Sequence, residues 1–134
     1  MVVAYKWGGI AFDDKSLIKT LILPSNAYDN VPITLHYNGV NYQVPAGKVF
    51  IVGRAMWAVS IGTLHYGRVG ESGIADGAIS KEVLILNPHP TAGSWVYDDV
   101  IGIYTAGKYV TGETSSTTYY LYAGSTLYGV EIPA

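Results

Sequence analysis

The sequence has no cysteine, so neither disulfides nor thiolate-bound metals hold the fold, and the redox compartment is left open. Charge is scarce too. Eight Lys and Arg with ten Asp and Glu make up 13% of 134 residues, against roughly 25% in an ordinary soluble domain. The formal net charge is −2 and the basic residues form no cluster, so the concentrated positive field that a nucleic-acid backbone demands is missing. No run of about 18 apolar residues is available to span a membrane. No basic start leads into an apolar run and a cleavage site, and no Asn stands in the N-x-Ser/Thr context of a glycosylation acceptor. The i, i+3, i+4, i+7 apolar spacing of an amphipathic helix is absent throughout.

What is present is 49% hydrophobic residues with 16 Gly, 6 Pro and 12 Tyr, in a length that suits one domain with a real core. With so few charges, Gly, Thr, Ser, Tyr and Asn must cover the exterior, and part of the outward apolar surface is expected to meet another protein.

The most informative stretch is Ile33 to Gly53. Asn38-Gly39 is the dipeptide that best takes the two positive-φ positions of a type I′ turn. That turn sets Tyr37 opposite Val40, Leu35 opposite Tyr42 and Ile33 opposite Val44, with His36–Asn41 and Thr34–Gln43 between them on a polar face. Pro45 and Gly47 then bend the chain into Val49–Ile61. There, Val49, Ile51, Ala55, Trp57, Val59 and Ile61 are predicted to face the core with Gly53. Phe50, Val52, Arg54 and Met56 fall on the opposite face, covered either by the same chain or by a second subunit.

Other predicted strands are Lys15–Leu23, Gly62–Val69, Lys81–Asn87, Trp95–Tyr104 with an interruption at Asp98-Asp99, Tyr109–Thr111, Thr117–Ala123 and Ser125–Ile132. Gly70-Glu71-Ser72-Gly73 reads as a turn. About eight to ten short strands separated by Gly and Pro turns describe an all-β, antiparallel β-sandwich, jelly-roll-like, over residues 15–134. Residues 1–14 read as an N-terminal arm or edge strand, where Trp7 and Phe12 are costly to leave in water. Ala46-Gly47-Lys48 recurs as Ala106-Gly107-Lys108, as though each were the turn into an equivalent strand of a two-part Greek key.

Catalytic patterns fail one by one. His36, His65 and His89 stand apart, without the His-x-His pair of a cupin metal site. Asp98 and Asp99 are adjacent and point to opposite faces of a strand, so they cannot be the facing carboxylates of a glycosidase. A calcium site from Asp98, Asp99 or Asp76 with backbone carbonyls stays open. Ser72 in Gly-Glu-Ser-Gly is one residue short of a nucleophile elbow. No enzyme activity and no cofactor is expected.

In Thr118-Tyr119-Tyr120-Leu121-Tyr122, alternation places Tyr120 and Tyr122 on one side and Tyr119 with Leu121 on the other. An outward tyrosine pair serves surface packing, a subunit contact or a stacking platform for sugar rings.

Tyr42-Gln43-Val44-Pro45-Ala46-Gly47-Lys48-Val49-Phe50-Ile51-Val52, with Tyr128-Gly129-Val130-Glu131-Ile132 near the end, resembles small jelly-roll structural proteins of viruses and phages: capsid, decoration and tail components. The resemblance implies a non-enzymatic block that assembles with copies of itself and other virion proteins, located in the virion after assembly in the host cytoplasm. Under that reading Trp7, Phe12, Phe50, Val52, Arg54 and Met56 are the subunit-interface candidates. The alternative is a carbohydrate- or receptor-binding sandwich that stacks its ligand on Trp95, Tyr97, Tyr120 or Tyr122.

Overall fold

The computed structural model describes residues 5–7, 10–12, 18–60, 65–87 and 91–134, with the backbone alone for the first two segments. The strands are β1 (Tyr5–Trp7), β2 (Ile10–Phe12), β3 (Ile18–Ile22), β4 (Ile33–Thr34), β5 (His36–Tyr37), β6 (Val40–Asn41), β7 (Lys48–Trp57), β8 (Gly67–Ser72), β9 (Lys81–Leu86), β10 (Val96–Thr105), β11 (Tyr109–Thr114) and β12 (Thr126–Pro133). No helix occurs among the described residues. β1 and β2 pair with each other, Tyr5 opposite Phe12, as a separate two-stranded ribbon. The side chains of Trp7 and Phe12 lie outside the described residues.

All other strands join two antiparallel sheets, in the orders β10-β7-β12-β3-β5-β6 and β4-β11-β8-β9. Apart from the small β5–β6 hairpin, the pairing is nested. β3 takes β12, β4 takes β11, β7 takes β10 and β8 takes β9. First with last, second with seventh, third with sixth and fourth with fifth is the connectivity of a jelly roll. Shifting the strand count by four carries one sheet onto the other. Under that shift Ala46-Gly47-Lys48, which leads into β7, matches Ala106-Gly107-Lys108, which leads into β11. Both glycines take positive φ, 73° and 81°, and the two turns are bonded side by side: Gly107 N–H donates to Val44 O at 2.8 Å and Val44 N–H to Lys108 O at 2.9 Å. The echo in the sequence is the fold's own pseudo-repeat.

The hairpin forms around its predicted turn. Asn38 and Gly39 have φ of 50° and 78°, His36 faces Asn41 and Tyr37 faces Val40. The pairing stops sooner than the alternation predicts. At Leu35 the chain passes from one sheet to the other, so Ile33 pairs Gly112 rather than Val44, and Thr34 pairs Thr111. Thr34 is therefore buried, not on a polar face. Its N–H donates to Asp76 Oδ1 and its Oγ1 accepts from Asp76 N–H, both at 2.8 Å, so the 73–80 connection lies over that part of the sheet.

The core fills the space between the sheets with Leu21, Phe50, Val52, Trp57, Val69, Leu86, Tyr104, Val110, Leu121 and Leu127. Three polar links cross it. Tyr104 OH donates to Val69 O at 2.9 Å, Trp57 Nε1–H donates to Asn87 O at 2.9 Å, and buried Glu71 Oε2 accepts from the N–H and hydroxyl of Thr105 at 2.6 Å each. Gly70, Glu71 and Ser72 are thus strand rather than turn. Gly70 is small because of close approach: a Cβ there would stand 2.4 Å from Lys81 O and 2.5 Å from Ile79 Cγ2. The segment predicted as a strand over 117–123 is instead a ribbon. Within it Leu121 alone bridges, to Ala27 on one side and Val59 on the other.

Strand β7 carries the main departure from simple alternation. Its pairing with β12 slips between Tyr128 and Gly129, and its pairing with β10 slips between Asp99 and Gly102. Both slips fall at Gly53, an extra residue that reverses which side faces inward. Before it Phe50 and Val52 are wholly buried; after it Ala55 and Trp57 are. Opposite, Gly129 meets the bulge so closely that a Cβ would lie 2.4 Å from Ile51 O and 2.7 Å from Phe50 Cζ, whereas nothing lies within 4 Å of a Cβ on Gly53. Gly129→Ala should therefore cost about 2 kcal/mol or more and Gly53→Ala under about 0.5 kcal/mol, measured by urea denaturation. Equal costs would show that the bulge does not bring those backbones together.

Candidate functional site

Of the interface residues predicted from sequence, Phe50 and Val52 belong to the core of the single chain and are corrected to that role. The bulge turned them inward, so no subunit is needed to cover them. Arg54 and Met56 do lie outward. Arg54 Nε–H donates to Asp99 Oδ1 at 2.9 Å, and its guanidinium sits 5.0 Å from the centre of the Tyr97 ring.

The same reversal sends Ile51 outward, in register with three apolar neighbours. Ile18 faces Val130, Val130 faces Ile51 and Ile51 faces Ile103, so one apolar row runs across β3, β12, β7 and β10. Ile18 is 49% and Ile103 51% exposed. The next row is Thr20, Tyr128, Arg54 and Asp99, in which the two charges neutralise each other. The third is Ile22, Thr126, Met56 and Tyr97. Between the first and second rows Ile101 stands 79% exposed in the bulge of β10. With strands about 4.8 Å apart, the patch covers a few hundred Å², the size at which an apolar patch on a monomer marks an interaction site. Sequence alternation missed Ile18, Ile51, Ile103 and Val130, because the period-2 pattern through β7 gives no sign of the extra residue.

A second cluster forms where the described residues of four connections meet: 23–32, 58–60 with 65–66, 87 with 91–95, and 115–125. Leu121 points inward and is buried, so Tyr120 and Tyr122 point outward. The Tyr28, Tyr120, Tyr122 and Trp95 rings follow in a chain with centres 5.4, 5.0 and 6.1 Å apart, each tilted on the next by 55–58°. Hydrogen bonding with Tyr120 raises the Tyr122 phenol above its ordinary value. The support is backbone: Tyr122 N–H donates to Ala58 O, Leu121 N–H to Ala27 O, and Gly93 N–H to Val59 O. Gly93 and Gly124 pack beneath, where a Cβ would come 3.0 Å from the Tyr122 hydroxyl and 3.6 Å from Trp95. Three of the four predicted stacking residues are thus brought together, and Tyr28 joins them. Tyr97 is not among them; it packs on Tyr128 in the outer sheet face, ring centres 6.0 Å apart. Tyr28 had no sequence signal beyond being an aromatic in a polar loop.

The remaining chemistry does not converge. His36 lies on β5, His65 packs 5.5 Å from Tyr119, and His89 is outside the described residues. Asp76 bonds Thr34 of one sheet while Asp98 and Asp99 lie on β10 of the other. Among the described residues no three His, Asp or Glu approach as a metal site would require. An open depression of about 460 Å³ lies between the two Ala-Gly-Lys turns, lined by backbone, Gln43, Val44, Pro45 and small residues, with no titratable side chain in its lining.

The densest ionisable group is on the outer face of the four-stranded sheet. Arg68 reaches Glu113 at 2.6 Å, Asp29 at 2.7 Å and Glu82 at 3.8 Å. Burial raises the Glu113 carboxyl above its ordinary value of 4.5, only partly offset by Arg68. All its cationic capacity is used within the molecule, so it reads as a fastener between the 23–32 connection, β8, β9 and β11. No protein-family model matches the chain, and no curated protein matches it.

A carboxyl that binds its proton more tightly when folded favours the fold at low pH, and that contribution is lost as pH rises from 4.5 through the folded value. Relative to Glu113→Gln, the wild type should therefore lose stability on raising the pH from about 4 to about 7. Paired urea titrations test this; a difference that stays flat or grows with pH would show that Arg68 outweighs burial.

Proposed function

We propose that this chain is a non-enzymatic structural subunit that joins copies of itself into a symmetric oligomer or lattice, as a component of a virion. The observation that carries the reading is the in-register row of Ile18, Val130, Ile51 and Ile103 on the outside of the larger sheet. Ile18 and Ile103 stand about half exposed, with Ile51 and Val130 partly exposed between them, and a second protein surface laid on the row recovers apolar burial worth about 1 kcal/mol for each of the two more exposed side chains. The neighbouring Arg54–Asp99 pair leaves the face electrically neutral, so two copies can approach without repulsion.

The face, rather than an edge, is the contact. β10 ends the larger sheet, and an open edge would invite strand pairing, but its bulge at Asp99–Gly102 and the paired charges there interrupt the ladder. The virion assignment draws on the resemblance of the Tyr42–Val52 segment to viral and phage building blocks, and the nested jelly-roll connectivity agrees with it. Partners are then further copies and other virion proteins.

The test is sedimentation velocity over a range of concentrations, with electron microscopy of any assembled material. Wild type should self-associate into rings or a lattice. Ile18→Lys with Ile103→Lys should give a monomer whose thermal midpoint is close to wild type, since both side chains are about half exposed. A wild-type chain that stays monomeric at high concentration and forms no ordered assembly would overturn the proposal.

A further inference from the structure

The aromatic cluster lies away from the assembly face and has a chemistry of its own. In a jelly roll the connections alternate between the two poles. Those at one pole, 45–47, 73–80 and 106–108, hold no aromatic residue and consist of small and turn-forming residues apart from Ile74, Ile79 and Lys108. The four at the other pole hold Tyr28, Trp95, Tyr120 and Tyr122. Loops gathered at one end of a rigid sandwich are where such folds place recognition. Here each outward ring comes from a segment fixed by main-chain bonds to its neighbours, so the arrangement is set before any ligand arrives.

The character of this pole selects the ligand. Among its described residues there is no Lys or Arg, and the single carboxylate, Asp29, is held by Arg68 at 2.7 Å. Phosphate, sulfate and carboxylate groups would find no counter-charge there. Rings tilted by 55–58° do not enclose a cation either. Trp95 is 48% exposed, and a large ring left half bare offers a face to flat C–H surfaces. Around the rings are neutral hydrogen-bonding groups: the tyrosine hydroxyls and Asn26, whose Oδ1 accepts from Ala123 N–H while its Nδ2 has no partner among the described residues. An apolar ring face bordered by neutral donors and acceptors matches a pyranose, which has a C–H face and a rim of hydroxyls. An extended peptide is served less well, because the N–H groups of Tyr120, Leu121 and Tyr122 already donate to Ser60, Ala27 and Ala58.

We propose that this pole binds neutral oligosaccharides, with Trp95 as the principal stacking face and Tyr122, Tyr120 and Tyr28 continuing the platform to further sugar units. The inference is independent of the assembly reading, since none of these residues lies on the outer sheet face.

The experiment is a screen of neutral, sulfated and sialylated glycans, followed by NMR titration of the best neutral oligosaccharide on wild type and variants. Neutral glycans should bind, and longer ones more tightly than the monosaccharide. Trp95→Ala should weaken binding about tenfold, with a correctly dispersed spectrum because the ring is half exposed. Tyr97→Ala should leave the affinity unchanged. The Ile18→Lys/Ile103→Lys variant should still bind, which separates this inference from self-association. Absence of neutral-glycan binding, a preference for acidic glycans, displacement of the sugar by a proline-rich peptide that binds more tightly, or an affinity untouched by Trp95→Ala would each overturn it.

Discussion

The extra residue at Gly53 governs how this molecule meets its surroundings. A period-2 strand can bury only one set of alternate side chains, and β7 would have buried Val49, Ile51, Ala55 and Trp57 had it run straight. Slipping its partners on both sides at one level lets Phe50 and Val52 fill the core above the bulge and Ala55 and Trp57 below it. The large aromatic at position 50 then packs against Tyr42 and Tyr104 in the middle of the sandwich, with ring centres 5.3 and 6.2 Å away. Ile51 is displaced outward, where it continues a row begun by Ile18 and Val130. The apolar outer face is thus a by-product of how the interior is packed. Gly129 belongs to the same arrangement, because only a residue without a side chain lets β12 close over the kink.

How much could be read in advance follows from which signals are local. The Asn38-Gly39 turn was legible because two positive-φ positions in succession admit few dipeptides, and the strand count because Gly and Pro punctuate it. Asp98-Asp99 do not interrupt β10: both pair in register with Ala55 and Arg54, and the bulge follows them, before Gly102. The bulge in β7 was not legible: Gly53 resembles any strand glycine, and in the Val49–Val52 run before it both faces of the strand are apolar, so neither register leaves a polar residue at fault. Thr34 and Gly70 misled for a related reason. Thr34 is buried by a chain segment more than forty residues away, and Gly70 is demanded by the backbone of Lys81. Contacts of that range leave no mark in a short window. At the aromatic pole, alternation around Leu121 sufficed to send Tyr120 and Tyr122 outward, but the company of Tyr28 and Trp95 depends on which loops share a pole.

The shortage of charge takes on a definite meaning once its placement is known. Arg68 is committed to three carboxylates, Arg54 to Asp99, and Glu71 to the backbone and hydroxyl of Thr105 between the sheets. The few ionic groups act largely as internal fasteners rather than as a hydrated coat. What remains for the exterior is aliphatic on the larger sheet and aromatic with hydroxyls at one pole, two surfaces that differ in kind and in the partners they suit.

The nesting of first strand with last has a geometric outcome. β3 begins, and β12 finishes, at the end of the sandwich that holds the Ala-Gly-Lys turns, with Ile18 beside Val130 and Ala134 N–H bonded to Gly47 O at 2.9 Å. Whatever is tethered ahead of β3 or behind β12 therefore departs on one side, and the tyrosines and Trp95 look the opposite way. The domain is in effect an arrow, its shaft fastened at the tail and its tip presented to the medium. A short peptide joining the start of β3 to the end of β12 would close the sandwich into a circle, with new ends free to be cut at that tip.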